Sequence, residues 1–117
     1  MEGGKDPWNR RTFPWDSMDE ELLAHFRLLC QLRRTCEPLR TGELGWGPCH
    51  GHVLTFYRTS GNRTVCTVIN AGPRPERVTV PWSAPSASDL LTGRTLPQLN
   101  GPIVLDLPAF GGSILSV

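Results

Sequence analysis

Hydrophobic residues repeat with the period of an α-helix between residues 19 and 36. Acidic residues occupy the first turn of this segment and arginines the last, as the helix dipole favours. Ser17 and Glu20 fit the capping box S-x-x-E, and Pro38 ends the pattern. We therefore predict one helix across this range. The apolar side chains of its stripe are Leu22, Leu23, Phe26, Leu29 and Cys30.

Beyond residue 38, hydrophobic and polar residues alternate with a period of two, as in half-buried β-strands. Ser60-Gly61-Asn62 is a hairpin connection between two such runs. The 12 Gly and 11 Pro residues also favour a turn-rich β protein. The predicted fold is mainly β, an antiparallel β-sandwich of about seven to eight short strands preceded by one α-helix. The predicted strands are residues 43–46, 52–58, 63–70, 76–80, 88–91, 103–107 and 113–117.

Length and charge limit the classes of protein to consider. A chain of 117 residues forms one compact domain with at most a small appendage, which excludes a large barrel or a doubly wound enzyme. The composition changes near Pro38, so we divide the chain into residues 1–37 and 38–117. A formal net charge of +1 argues against a nucleic-acid partner. No window approaches the ~18 consecutive apolar residues of a membrane span, so we expect no membrane partner.

Candidates for metal binding and catalysis are weak. The four cysteines lack the dense spacing of a small secreted scaffold, so we expect free thiols and a cytoplasmic location. Cys49, His50 and His52 lie within four residues, but a structural zinc site usually draws its ligands from two spaced pairs. We interpret this segment as a polar turn and expect no metal and no cofactor. There is no G-x-S-x-G motif, and we assign no catalytic residue.

Tryptophans are the better candidates for binding a ligand, because indole faces pack against the apolar faces of sugar rings. Trp46 and Trp82 fall within or next to predicted strands, where packing in a core or an interface is the favoured interpretation. Trp8 and Trp15 lie in the opening loop. They are therefore the candidates for stacking on a sugar.

The opening segment carries a family resemblance. Residues 6–11 read Asp-Pro-Trp-Asn-Arg-Arg and residues 13–16 read Phe-Pro-Trp-Asp, after Gly3 and Gly4. This stretch resembles the loop after the eighth barrel strand in the α-amylase superfamily of glycoside hydrolases. The most similar branch is that of cyclomaltodextrinase, neopullulanase and maltogenic amylase. In that branch the pattern is Gly-Gly-x-Asp-Pro, two residues, Arg, and then a Pro-Trp-Asp block.

The resemblance continues through almost the whole chain. It implies that residues 1–37 are a remnant of a (β/α)₈ barrel, namely the loop after strand 8 and the final helix. Residues 38–117 are then the C-terminal β-sandwich. The matching blocks are Glu21-Leu22-Leu23, Leu32-Arg33, residues 38–43, residues 65–70, residues 89–93, Leu107-Pro108 and residues 111–115.

The resemblance implies a parent enzyme that hydrolyses or transfers α-glucan linkages with retention, in starch, maltodextrin, cyclodextrin or pullulan. That chemistry needs two carboxylates about 5 Å apart. No position of this chain matches the motifs that carry them. We therefore expect the chain alone to be non-catalytic, and to pack against and stabilise the catalytic barrel of the same parent chain.

The resemblance also gives two residues a role in the intact parent. The Asp and Arg of the family motif contact a donor-side glucose, which implies the same for Asp6 and Arg10. A carboxylate accepts hydrogen bonds from sugar hydroxyls and a guanidinium donates them in a fixed fork. The alternative is that the two side chains only brace the loop.

Three further expectations stay open. Without a barrel wall, the stripe of Leu22, Phe26 and Leu29 would drive self-association or fold back onto the sandwich. A rival function is an independent carbohydrate-binding module that uses Trp8, Trp15 or Trp82, with an α-glucan as the ligand. A small self-contained hydrolase or metalloprotein is the third alternative.

Overall fold

A computed structural model describes residues 4–10, 12–97 and 99–117. The chain divides into two compact units, one ending at Cys30 and the other beginning at Gln31, so the division falls inside the predicted helix. The domain boundary between residues 37 and 38 stays a prediction. In the described part of the chain, no helix is long and apolar enough to cross a membrane.

Helix α1 spans Glu20–Thr35, which confirms the predicted helix. The predicted capping box is wrong, because Ser17 lies in a short 3₁₀ turn, Trp15–Ser17, and not at the start of the helix. Asp19 caps α1 instead, and its Oδ1 accepts a hydrogen bond from the backbone N–H of Leu22 at 2.9 Å. Along the stripe, Leu22 and Phe26 are exposed and Leu29 is half-buried. Self-association through this stripe stays a prediction.

A second helix, α2, spans Glu37–Thr41 and was not predicted. Pro38 ends the hydrophobic pattern of α1, but it also occupies the first turn of α2, where a missing N–H costs no hydrogen bond. Cys36 has an extended backbone between the two helices. Helix α1 thus ends before the proline, as predicted, and the proline lies in the first turn of a new short helix.

Eight antiparallel strands in the described residues form two sheets, which confirms the predicted sandwich. The larger sheet has the order β1-β2-β3-β8-β5-β6, and the smaller one pairs β4 with β7. Seven strands agree with the prediction, four of them at both ends, and β6 was missed because it has only two residues. The bounds are β1 Glu43–Trp46, β2 Val53–Ser60, β3 Arg63–Asn70, β4 Glu76–Val80, β5 Ala87–Asp89, β6 Thr95–Leu96, β7 Ile103–Leu107 and β8 Gly112–Ser116.

The β2–β3 hairpin turns at Gly61-Asn62, as the sequence predicts. Gly61 has a φ of 59°, a left-handed conformation that glycine adopts without steric cost. The core then forms between the inner faces of the two sheets. Its fully buried members are Cys66, Val68, Val78, Val80 and Leu115.

Asn70 joins three segments at the end of β3, and its side chain is completely buried. Its Nδ2 donates to the carbonyls of Arg74 at 2.7 Å and Pro108 at 3.0 Å. Its Oδ1 accepts from the backbone N–H of Gly72 at 2.9 Å. One amide thus fixes the β3–β4 turn and the β7–β8 loop to the sheet. The same loop holds Phe110 at a φ of 53°, unusual for an aromatic residue.

Asp89 makes a similar junction at the end of β5. Its Oδ1 accepts from the backbone N–H of Leu91 at 2.9 Å, and its Oδ2 accepts from the Ser113 hydroxyl at 3.1 Å. The backbone N–H of Gly93 returns to the Asp89 carbonyl at 2.8 Å. This carboxylate therefore shapes the turn before β6 and ties it to β8.

Cys66 and Tyr57 face each other across the β2–β3 ladder, on the inner side of the sheet. Burial raises the pKa of the Cys66 thiol to about 11, against a smaller lowering by the Tyr57 hydroxyl. Burial, and after it the nearby Cys66, raises the pKa of Tyr57 to about 12. All four cysteines lie in the described residues as free thiols, with Cys36 and Cys66 buried. Cys66 thus acts as a small buried hydrophobe, as predicted.

We expect Asn70→Ala to lower the free energy of unfolding by about 3 kcal/mol or more, because buried groups that lose a partner cost about 1–3 kcal/mol each. Urea unfolding followed by tryptophan fluorescence would measure the change. Asn100→Ala, at an exposed position, is the matched control and should change stability by less than about 0.5 kcal/mol. A loss below about 1 kcal/mol for Asn70→Ala would contradict the junction.

We also expect stability to fall as the pH rises above about 9. The thiol of Cys66 ionises near 9.0 when unfolded, but only near 11 when folded. The stabilisation is therefore complete below the unfolded pKa and is lost as the pH rises through the folded pKa. Urea unfolding between about pH 8 and 10.5 should show a shallower decline for Cys66→Ala than for the parent sequence. Cys30→Ala, at an exposed thiol, should leave the slope unchanged.

Candidate functional site

The candidate sugar contacts Asp6 and Arg10 form an ion pair with each other. Two turns hold the segment: the N–H of Trp8 donates to the Lys5 carbonyl at 2.8 Å, and that of Arg10 to the Pro7 carbonyl at 3.1 Å. Arg10 Nε then lies 2.9 Å from Asp6 Oδ1, and both side chains are largely exposed. The sequence places each residue four positions from the other, so the pairing is local.

The exposed pair keeps hydrogen-bonding capacity for a ligand. A guanidinium has five N–H donors and a carboxylate two acceptor oxygens, and the contact between Arg10 and Asp6 uses only part of them. Exposed ion pairs contribute at most about 1 kcal/mol to stability. The geometry is therefore compatible with both interpretations, contact with a sugar and bracing of the loop. The flanking motif residues Gly3 and Arg11 lie outside the described residues.

Trp8 and Trp15 both present their indoles to solvent, with 71% and 75% of their surface exposed. Trp15 begins the 3₁₀ turn, and its ring meets Phe13 edge to face at a centroid distance of 4.8 Å. The N–H of Trp15 donates to the Phe13 carbonyl at 3.0 Å, which holds the two residues together. These indoles are open to a stacking ligand, as the sequence predicts for an opening loop.

Trp82 is packed in the core, with only 9% of its surface exposed. Its indole N–H donates to the Ser86 carbonyl at 3.1 Å, so the buried ring has a partner for its one polar group. This confirms the packing prediction for Trp82. It also removes Trp82 from the residues that could stack on a sugar.

Trp46 does not pack in the core, unlike Trp82, and packing in an interface stays a prediction for this residue. It ends the edge strand β1, all four residues of which are exposed, and 68% of its own surface is open. Its ring meets Phe56, its partner in the ladder, edge to face at 6.4 Å. Position at the edge of the sheet, which periodicity cannot show, accounts for the difference.

The segment of Cys49, His50 and His52 forms a turn before β2. The backbone N–H of Thr55 approaches the Cys49 sulfur at 3.5 Å, and the thiol lies 3.4 Å from the Gly47 carbonyl. Both histidines are exposed. The described residues contain no group of three or more His, Cys, Asp or Glu side chains placed to hold a metal.

Known proteins resemble the chain over nearly its full length. An amylopullulanase from Thermoanaerobacter thermohydrosulfuricus is 30% identical over 129 residues, covering 97% of this chain. A cyclomaltodextrinase from Geobacillus thermopakistaniensis is 29% identical over 123 residues, covering 100% of it. The crystal structure of an Anoxybacillus α-amylase superposes on 99% of this chain with a TM-score of 0.87 and 25% identity. No family model matches the chain.

The chain corresponds to a small part of each of these proteins. It spans 9% of the amylopullulanase, 21% of the cyclomaltodextrinase and 26% of the α-amylase. The matched region includes the opening segment with the Asp6–Arg10 pair as well as the sandwich, because it covers 97–100% of this chain. The similarity is thus to one continuous segment of larger proteins.

Proposed function

Since the chain is homologous to parts of α-amylase-family glycosidases, we propose that it is the C-terminal, non-catalytic segment of an α-glucan-active retaining glycosidase. Residues 1–37 are the last loop and helix of the catalytic barrel, and residues 38–117 are the β-sandwich that packs on it. The observation that supports this most strongly is the match of the whole chain to a cyclomaltodextrinase that is almost five times longer.

The contacts of the acidic side chains agree with a non-catalytic role. Asp89 and Asp19 accept backbone hydrogen bonds, while Asp6 and Asp106 each pair with an arginine. Retaining glycosidases need a nucleophilic carboxylate and a second, proton-donating one about 5 Å apart. These four carboxylates instead serve caps, turns and ion pairs, and the catalytic carboxylates belong to the barrel of the parent.

In the parent, Asp6 and Arg10 contact a glucose unit of the bound α-glucan. Their turn holds both side chains within one ion pair that still has donors and acceptors to offer. Trp8 lies between them in the sequence with an exposed indole, which adds an apolar face of the kind that sugars stack on. Within residues 1–117, this opening segment is therefore the part that we propose contacts the substrate.

The mass of the natural protein tests the proposed function. An antibody raised against this chain should detect, in a lysate of the source cells, a protein several times heavier than 13.0 kDa. A single band near 13.0 kDa would overturn the proposal. The exposed indoles of Trp8 and Trp15 would then favour an independent carbohydrate-binding module, which fluorescence quenching by maltodextrin would detect.

For the substrate contact, we expect Arg10→Ala in the parent enzyme to raise KM for a maltooligosaccharide by about tenfold, the effect of losing a charged hydrogen bond of ~1.5 kcal/mol. Arg77→Ala is the matched control, because Arg77 also forms an exposed ion pair, with Asp106 at 2.7 Å on β4 and β7. It should leave KM unchanged. If both variants behave alike, the Asp6–Arg10 pair only braces its loop.

A further inference from the structure

The two outer faces of the sandwich differ in polarity. In the larger sheet, Trp46, Phe56, Thr67 and Ile114 are neighbours in register across β1, β2, β3 and β8, and Leu54 pairs with Ile69 in the next row. We call these six residues the outer sheet patch. It carries no charged side chain, and Trp46, Leu54 and Ile69 are exposed.

The outer face of the smaller sheet is polar by comparison. Arg77 and Thr79 on β4 are exposed, and Asp106 on β7 pairs with Arg77. The pairing lowers the pKa of Asp106 and raises that of Arg77, since each charge is favoured by its partner. Val104 is the one exposed large hydrophobic residue on this face. Water therefore solvates this face well, whereas the outer sheet patch exposes an apolar surface to it.

Helix α2 already covers one end of the same outer face. It packs against β2 and β3, where Val65 is almost completely buried although it points away from the core between the sheets. Arg58 Nε donates to the Pro38 carbonyl at 3.3 Å, and Pro38 and Cys36 are buried as well. Helix α2 therefore lies on this face, next to the outer sheet patch.

We propose that the outer sheet patch is the docking surface for the apolar side chains of barrel helices in the parent chain. This rests on the proposed function. Continuity along the chain supports the barrel as occupant, because α2 directly follows the segment that we assign to the barrel and covers the row beside the patch. An uncharged surface with an exposed indole also suits an apolar partner, and a sheet face is typically covered by a layer of helices.

The chemistry of the patch argues against a sugar as its occupant. A sugar site combines an aromatic face with several polar side chains that bind hydroxyls. The patch offers only the Thr67 hydroxyl, beside the rings of Trp46 and Phe56. Its rows fit the side chains of packed helices instead, with Trp46 and Phe56 as the large anchors.

Hydroxyl-radical footprinting of the natural full-length protein tests the proposal. We expect Trp46 to be oxidised at least about tenfold more slowly in the folded protein than in the unfolded one, because the barrel excludes water from a docked anchor. Phe110, with 74% of its surface exposed, is the reference side chain and should be oxidised at close to its unfolded rate. Free oxidation of Trp46 in a long parent chain would overturn the docking surface and leave the proposed function intact.

A pair of variants gives a second, independent measurement. Ile69 and Val104 are exposed apolar residues on the outer faces of opposite sheets. In the parent, Ile69→Lys should shorten the half-life of heat inactivation by about tenfold relative to Val104→Lys, since only the former places a charge in the docked surface. Equal half-lives would overturn the proposal. A natural protein of 13.0 kDa in which a second copy protects Trp46 would overturn both it and the proposed function.

Discussion

Asn70 imposes the constraint on which the sandwich depends. An amide that is completely buried must find partners inside the protein, because an unpaired polar group costs as much as several methyl groups contribute. It finds them in the Arg74, Pro108 and Gly72 backbones, on two segments that connect the two sheets. These bonds hold both connections at the end of the core between the sheets. Asp89 repeats this arrangement at β5 with a carboxylate.

The fold also fits the proposed role of a small, non-catalytic domain within a larger protein. One outer face carries charge and an ion pair, and the other carries Trp46 and Phe56 beside the row that α2 covers. The core between the sheets stabilises the domain itself. The difference in polarity between the two outer faces determines which of them suits an apolar partner. The proposed roles of the opening turn and of the outer sheet patch thus lie on separate parts of the chain.

The sequence predicted the strands well where alternation was long and turns were marked by glycine or proline. It failed where neighbouring structure overrides local pattern. Pro38 ends the pattern of α1 as predicted, but the short helix α2, whose first turn holds this proline, was missed. Ser17 fits a capping motif, but the 3₁₀ turn gives that role to Asp19. For Trp46, residue type left core and interface both open, and only the order of strands places it at an edge.

For the candidate site, position in the opening loop made Trp8 and Trp15 the candidates for stacking, and both indoles are exposed in the structure. Spacing did not predict that Asp6 and Arg10 pair with each other, because the turns between them depend on backbone hydrogen bonds that no motif records. The hydrogen bonds of Asn70 could not be predicted from the sequence either. A strand that ends in asparagine gives no sign of which carbonyls will meet the amide.

The buried thiol of Cys66 is a built-in probe of local opening in the sandwich. Because the group is fully buried and its pKa lies near 11, an alkylating reagent meets a reactive thiolate there only when the β2–β3 and β3–β8 ladders separate. Labelling at Cys30 and Cys49, which are exposed, is complete long before such an event. Cys36 is buried as well, so in a Cys36→Ala variant the slow phase of thiol labelling would report the rate at which the central strand opens, without denaturant.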